Sequence, residues 1–390
     1  MPLLVVADAS RVRQFLDLPV RLYQDHPNWI SPLDQDIESV FDPAKNPNLT
    51  QGEAIRWILT DAQGIVIGRV AAFINASTAH IDPTLPTGGM GFFECIDEQD
   101  AANELFEACR RWLAERGMAA MDGPINFGER DRFWGLLVAG FTEPNYGMLY
   151  HPEYYRRLFE GYGFQTYFKQ YTCYRAVAAP LHASFARSAE RYARELPDFR
   201  FAHANRSKPE QLARDFHHVY NLAWANHTGI NPMTLEKARD IVAQMKPVLD
   251  DRLLWFAYHN DQPVAFFMSL PELNQIFKHV GRKFGLPQKL RFLWERYRFN
   301  RRQPKRMFGV IYGVVPEFQG QGVDVAMLVH AQRALLAAGY TDIEMNWIGD
   351  FNPRMLAVIR SIGARIHKTH VTYRKLFDPA RPFERSPIIK

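Results

Sequence analysis

The sequence predicts an α/β chain made of two copies of one strand and helix unit. Three observations carry this prediction. An apolar strand, Phe308 to Val315, breaks at Pro316 into Gln319-Gly320-Gln321-Gly322-Val323 and continues as a helical pattern to Ala338. The ending Gly163-Phe164, Lys169, Tyr174-Arg175 returns at nearly equal spacing as Gly363-Ala364, Lys368, Tyr373-Arg374. Finally, 390 residues with 47% apolar content exceed one ordinary domain and suffice for two buried cores.

The elements follow in order. In the first copy a strand, Gly91 to Ile96, precedes a helix closed by glycine, Leu105 to Gly117, and a second strand, Met118 to Ile125. A glycine-bearing insertion from Phe127 to Tyr150 reads as a wall between domains. It precedes the helix Tyr154 to Tyr162 and a closing strand ended by Val177 to Pro180. A helical linker segment, Phe185 to Leu196, leads on. The second copy runs a strand (Phe199 to Asn205), helices (Pro209 to Asn226 and Thr234 to Leu249) and a hairpin (Leu253 to His259, Val264 to Leu270). After the 308–338 stretch come a strand (Asp342 to Ile348), a helix (Asn352 to Gly363) and closing strands through Phe377. The expected division is 1–176, a linker 177–198, a second domain 199–378 carrying an insertion 278–306, and a tail 379–390.

A strand feeding glycines that open a helix is how backbone grips phosphate, because unpaired N–H groups converge on an anion and glycine lets it approach. Two other phosphate loops do not fit. The P-loop needs a closing Lys and Ser or Thr, and the dinucleotide fingerprint needs three glycines. In order and spacing, Val314, Pro316, Gln319, Gly322 and Leu328 resemble the acyl-coenzyme A loop of the GNAT acyltransferase superfamily. The downstream strand, Asn-led helix and closing strands extend the resemblance over roughly residues 199–377. It implies two GNAT-like domains, each a mixed, mostly antiparallel sheet flanked by helices, and acetyl- or longer acyl-coenzyme A as donor, without a metal. The residues implied to hold that donor are Val314, Val315, Gln319, Gly320, Gln321, Gly322, Val323 and Asn352, with the amides of Val314 and Val315 as the oxyanion site. The first copy has Asp97-Glu98-Gln99-Asp100 in place of the loop, and carboxylates there would repel a pyrophosphate. The donor is therefore expected in the second copy only. The helix tyrosine that serves the family as acid is Ile359 here and Phe159 in the first copy, so that role does not carry over.

Cys95, Cys109 and Cys173 lie far apart without a C-x-x-C pair, which argues against a disulfide framework or a structural zinc site. Met1 to Ala7 lacks a basic leader, and no stretch approaches the ~20 apolar residues of a bilayer span. A cytoplasmic protein is expected, peripheral on the inner membrane face at most. Net charge is +5, but eleven Lys or Arg between Lys278 and Arg306 face one acid, Glu295, so this segment holds +10 and the rest −5. Within it Leu290, Leu293, Trp294 and Tyr297 recur at helical spacing between cations. Three roles fit that pattern: an anionic membrane surface bound through 282–302, packing on the core, or RNA contact.

Amide formation from a thioester needs a deprotonated amine, a stabilised oxyanion and often an acid for the thiol. Glu344 and Asn346 are the catalytic candidates. Aligning Asn352 with the family's helix-leading Asn implies that 344, 346 and 348 share the strand face that in the family lies beside the donor, where polar groups need a reason, and a carboxyl there would serve as base. The other register, with Met345 and Trp347 inward, leaves both exposed. His227, in a turn that frames the acceptor pocket in GNAT enzymes, is a third candidate proton acceptor. Asp324 departs from the family loop, which closes on Gly or Ala. It either caps the helix or spoils phosphate binding. The resulting expectation is an acyl-coenzyme A dependent N-acyltransferase acting on a small-molecule or lipid amine, such as a sphingoid base. The tandem arrangement also resembles the Fem ligases, which leaves an aminoacyl-tRNA donor as one alternative and a non-catalytic binding module as another.

Overall fold

The structure, a computed structural model, describes residues 1–128, 130, 132–224, 232–301 and 304–389. The first half runs β1 (Leu3–Val5), α1 (Ala9–Leu22), α2 (Asp34–Val40), β2 (Glu53–Thr60), β3 (Val66–Ile74), β4 (Thr87–Cys95), α3 (Gln99–Ala114), β5 (Ala120–Gly123), β6 (Leu136–Ala139), α4 (Tyr154–Gly161) and β7 (Gln165–Ala176). A helix, α5 (Ala183–Glu195), joins it to the second half: β8 (Phe199–His203), α6 (Pro209–Trp224), α7 (Leu235–Met245), β9 (Leu254–His259), β10 (Gln262–Pro271), α8 (Asn274–Val280), α9 (Leu286–Arg301), β11 (Lys305–Val314), α10 (Val323–Ala337), β12 (Tyr340–Gly349), α11 (Pro353–Ser361) and β13 (Arg365–Leu376). The expected class holds. One mixed sheet, mostly antiparallel, carries helices on its faces, and its parallel ladders among the described residues are β4 with β5 and β11 with β12.

The repeat is visible at the level of single hydrogen bonds. At the end of α4, Tyr162 N–H donates to Leu158 O (3.2 Å), Gly163 N–H to Glu160 O (3.0 Å) and Phe164 N–H to Phe159 O (3.1 Å). At the end of α11, Ile362 N–H donates to Val358 O (3.2 Å), Gly363 N–H to Arg360 O (3.0 Å) and Ala364 N–H to Ile359 O (3.1 Å). Both glycines have positive φ, 92° and 74°, which lets the chain reverse into the next strand.

The two copies exchange their closing strands. The sheet order is β1-β2-β3-β4-β5-β13-β7-β12-β11-β10-β9-β8, so β13 lies between β5 and β7 of the first half, while β7 pairs with β12 of the second. The cores follow the exchange. Val371 and Tyr373 of β13 pack in the first-half core, and Cys173 and Val177 pack in the second-half core.

Residues 144–146 of the insertion bond across to the segment that enters α8. Glu272 accepts from Asn145 Nδ2 (2.7 Å) and Tyr146 N–H (2.9 Å), and Asn274 Nδ2 donates to Pro144 O (2.7 Å). The Tyr146 ring stacks on Phe277 at 5.3 Å. Burial raises the Glu272 pKa, against the hydrogen bonds that favour its charge, and nearby Glu344 adds to the rise.

Candidate active site

Strands β11 and β12 stay paired from Lys305 and Tyr340 to Gly309 and Met345, then separate: β11 continues along β10 and β12 along β7. Two irregularities accompany the split. Val310 is skipped by the β10 ladder and lies past the last β12 pair, while Trp347 adopts φ 61° where the β12–β7 register shifts. That bulge breaks the alternation expected along the strand. Asn346 and Ile348 join Ile343 and Met345 in lining a cavity, and Glu344 is not among the lining residues. The expected common face for 344, 346 and 348 is thus corrected, because one left-handed residue resets the side-chain period.

The cavity fills the wedge between the parted strands and is walled by α10 (Leu328, Ala331, Leu335) and α11 (Met355, Val358, Ile359). Its cavity volume is about 110 Å³. The walls are almost wholly apolar. Of the polar lining side chains, Arg175 and Gln332 donate to backbone carbonyls, whereas Asn346 is buried, with 7% of the residue exposed, and neither its Oδ1 nor its Nδ2 meets a hydrogen-bond partner. An orphaned amide of this kind costs about 1–3 kcal/mol, so it is the kind of group a ligand satisfies. Tyr312 supplies the one hydroxyl among the described lining residues, and it donates to the Asp324 carboxylate. Burial, and then that carboxylate, push the Tyr312 pKa far up, so the phenol stays protonated. Asp324 makes no capping hydrogen bond and instead ties the first turn of α10 to β11.

The glycine turn lies at the start of α10. Gly320 and Gly322 have φ 73° and 82°, and a Cβ at Gly322 would come within 2.7 Å of Ser188 Oγ. The turn's carbonyls face α5, where Gly322 O accepts from Ser188 Oγ (3.0 Å), and Gln321 O accepts from Arg191 (2.9 Å) and Tyr192 (3.3 Å). The amides of Gly320, Gln321 and Gly322 make no hydrogen bond within the described residues. A segment expected only to link thus holds the turn's oxygens on one side and leaves its N–H groups for an anion.

The other donor candidates are placed as follows. Gln319 Nε2 donates to Val314 O (3.0 Å), and Val323, fully buried, opens α10. Val315 N–H already donates to Val264 O (2.9 Å), so it is not free for an oxyanion. Asn352 caps α11, accepting from Met355 N–H at 3.0 Å.

Glu344 lies with basic groups outside the cavity. Its Oε2 accepts from the buried Lys368 Nζ at 2.5 Å, and His367 Nε2 lies 3.8 Å from Oε1 and 3.1 Å from Thr142 Oγ1. Burial, followed by the Lys368 charge, lowers the His367 pKa against the pull of Glu344, which leaves the imidazole neutral near pH 7. His227 lies outside the described residues.

No protein-family model matches the chain. It is 26% identical over 379 residues to a Caulobacter vibrioides protein named bacterial ceramide synthase, a match covering 95% of this chain and 96% of that one. It is 25% identical over 371 residues to Protein YghO of Escherichia coli, covering 93% and 92%. Among solved structures, a tandem GNAT protein from the clavulanic acid biosynthesis pathway, 11% identical, superposes with TM-score 0.55 over 97% of this chain and 99% of that one. A GCN5-related N-acetyltransferase from Sphaerobacter thermophilus, 10% identical, gives 0.52 over 98% of both chains. The chain has the tandem GNAT fold.

Among the described residues of the first copy, aromatic rings occupy the position that matches the cavity. Phe93, Phe106, Phe159 and Phe164 pack there with ring centroids 4.7–5.2 Å apart. The Tyr155 hydroxyl also takes the Cys95 N–H at 2.9 Å. In the second copy Ile359 replaces an aromatic ring at the matching helix position, and space opens. Sequence reasoning missed Tyr312, His367 and Ser188 as site residues. Tyr312 left a trace as the polar member of the apolar run 308–315, and His367 as the neighbour of the repeated Lys368.

Proposed function

We propose that this protein is an acyl-coenzyme A dependent N-acyltransferase whose acceptor is a lipid amine. The orphaned Asn346 amide inside an apolar wedge carries this reading, because such a cavity suits an acyl chain with one polar group to orient. The match to a protein named ceramide synthase over nearly the whole of both chains supports a lipid acceptor. Amides of Gly320 to Gly322, aided by the α10 dipole, would hold the diphosphate of the donor. When bound, the donor supplies an activated acyl thioester. Asn346 Nδ2 is then the donor placed to meet the thioester carbonyl. The neutral His367, held by Glu344, accepts the amine proton, and Lys368 Nζ fixes the Glu344 side chain in place. The thiolate leaves as the amide bond forms and takes up the proton that His367 has accepted, while Tyr312 stays bonded to Asp324.

Calorimetry tests the donor. Palmitoyl-coenzyme A is expected to bind more tightly than acetyl-coenzyme A, and Asn346→Leu should weaken both by roughly tenfold, the worth of one buried hydrogen bond. Binding of neither thioester to the native protein removes the reading.

The assigned base has its own signature. Because the His367 pKa lies below the ordinary 6.5, turnover should be flat above about pH 6.5 and fall only at more acid pH. His367→Gln should lower kcat by about 10²-fold or more and abolish that acid limb. An unchanged limb in the variant rules His367 out.

A further inference from the structure

Helix α9 presents two apolar faces, and only one is covered. Phe292 and Phe299 are buried; Phe292 stacks on Phe277 at 5.3 Å and meets Phe284 edge-on at 5.8 Å. At about 100° per residue the opposite face carries Leu286, Leu290, Leu293, Trp294 and Tyr297. These five are 78%, 69%, 58%, 59% and 46% exposed. Contiguous exposed side chains of this size mark a contact surface. The pattern settles one point left open by the sequence, since the stripe does not pack on the core.

The flanks say what the contact is. Lys289 and Arg296 border the stripe on one side, Arg291 and Arg298 on the other, and Arg301 sits over the Tyr297 ring at 4.2 Å. Glu295, the one acid in the segment, is turned inward, buried and paired with Arg298 at 2.9 Å. The outer face is thus apolar at its centre, cationic at its rim and free of carboxylates. A protein partner would need a groove lined by acids, whereas an anionic bilayer offers both complements at once: acyl chains for the stripe and phosphates for the rim. No helix among the described residues is long and apolar enough to cross a membrane, so the contact is one of lying on the surface.

We propose that α9 seats this outer face on an anionic lipid bilayer. The inference concerns attachment and holds whatever the chemistry in the wedge. The test is co-sedimentation of the full-length protein with phosphatidylglycerol-containing vesicles and with pure phosphatidylcholine vesicles, followed by the Leu290→Glu, Trp294→Glu double variant. Native protein is expected to pellet with the anionic vesicles, less with the zwitterionic ones, and less as salt rises. The double variant should lose binding by about tenfold or more. Because both positions are exposed, it should melt like the native protein. Three results overturn the proposal: no pelleting of the native protein, equal pelleting of the double variant, or a dimer that depends on the stripe and ignores vesicles. Donor binding by calorimetry reports separately on the wedge, so failure of one leaves the other standing.

Discussion

Residues 1–198, expressed without the rest, are expected to be insoluble, and so are residues 199–390. Co-expressed, the two pieces should form a soluble complex. The reason is the exchange of closing strands. Without β13, the facing edges of β5 and β7 lose their partner, and β6 loses the strand it pairs with. The first-half core also loses Val371 and Tyr373, which are 3% and 1% exposed. Losing one large buried side chain costs about 3–5 kcal/mol, against a total stability of about 5–15 kcal/mol. Open strand edges next to exposed core then drive aggregation. In the other direction β12 loses β7 as its outer neighbour, and the wedge between β11 and β12 loses its frame. Solubility after expression and a calorimetric melt of any soluble fraction check this. A soluble 1–198 fragment with a cooperative melt would show that each copy completes its own sheet.

The second expected effect is acid unfolding between pH 6.5 and pH 4. His151 and His370 are both 1% exposed and lie beside β6, where His370 pairs with Leu137. His151 Nδ1 accepts from Leu137 N–H at 3.1 Å, and His370 Nε2 donates to Leu149 O at 3.3 Å, while its Nδ1 has no partner. Burial, chiefly, lowers their pKa values from 6.5 to about 3 for His151 and about 4 for His370, and His370 contributes to the shift of His151. With folded values below the unfolded ones, the stabilisation is present above pH 6.5 and is lost as pH falls through the window toward 4 and 3. At pH 4 each imidazole has withdrawn roughly 3 kcal/mol. Two such losses rival the whole stability of a domain. Urea midpoints measured from pH 8 to pH 4 at constant ionic strength should fall steeply below pH 6.5. His370→Leu should remove about half of that slope. A midpoint independent of pH across this window contradicts the placement of both rings.

What was legible in the sequence was local. The run from 308 to 338 became β11, the turn and α10 within a few residues, since apolar periodicity and positive-φ glycines act over one or two turns of chain. The repeat was legible for the same reason, because its glycine-closed helices use bonds that span only a few residues. The split roles of Glu344 and Asn346 were not. Period-two counting assigns them one face, but the β12–β7 ladder skips residues 346 and 347, where Trp347 has φ 61°, and Asn346 lines the cavity while Glu344 does not. Asp324 misled for a related reason: an acid in a first turn usually answers to its own helix, but here a tyrosine on the neighbouring strand claims it.

By itself the sequence determined the fold class, the tandem repeat, the glycine turn and the amphipathic pattern of 286–301, all written in spacings of a few residues. The tertiary structure alone decided which copy's strand completes which sheet, that Phe159 closes one wedge while Ile359 leaves the other open, and that the stripe on α9 faces outward. These outcomes depend on contacts between residues far apart in the chain. No local propensity records which of two similar strands will pair across the middle of a sheet, because either pairing satisfies the same backbone groups, and only the packing of the side chains on it separates them.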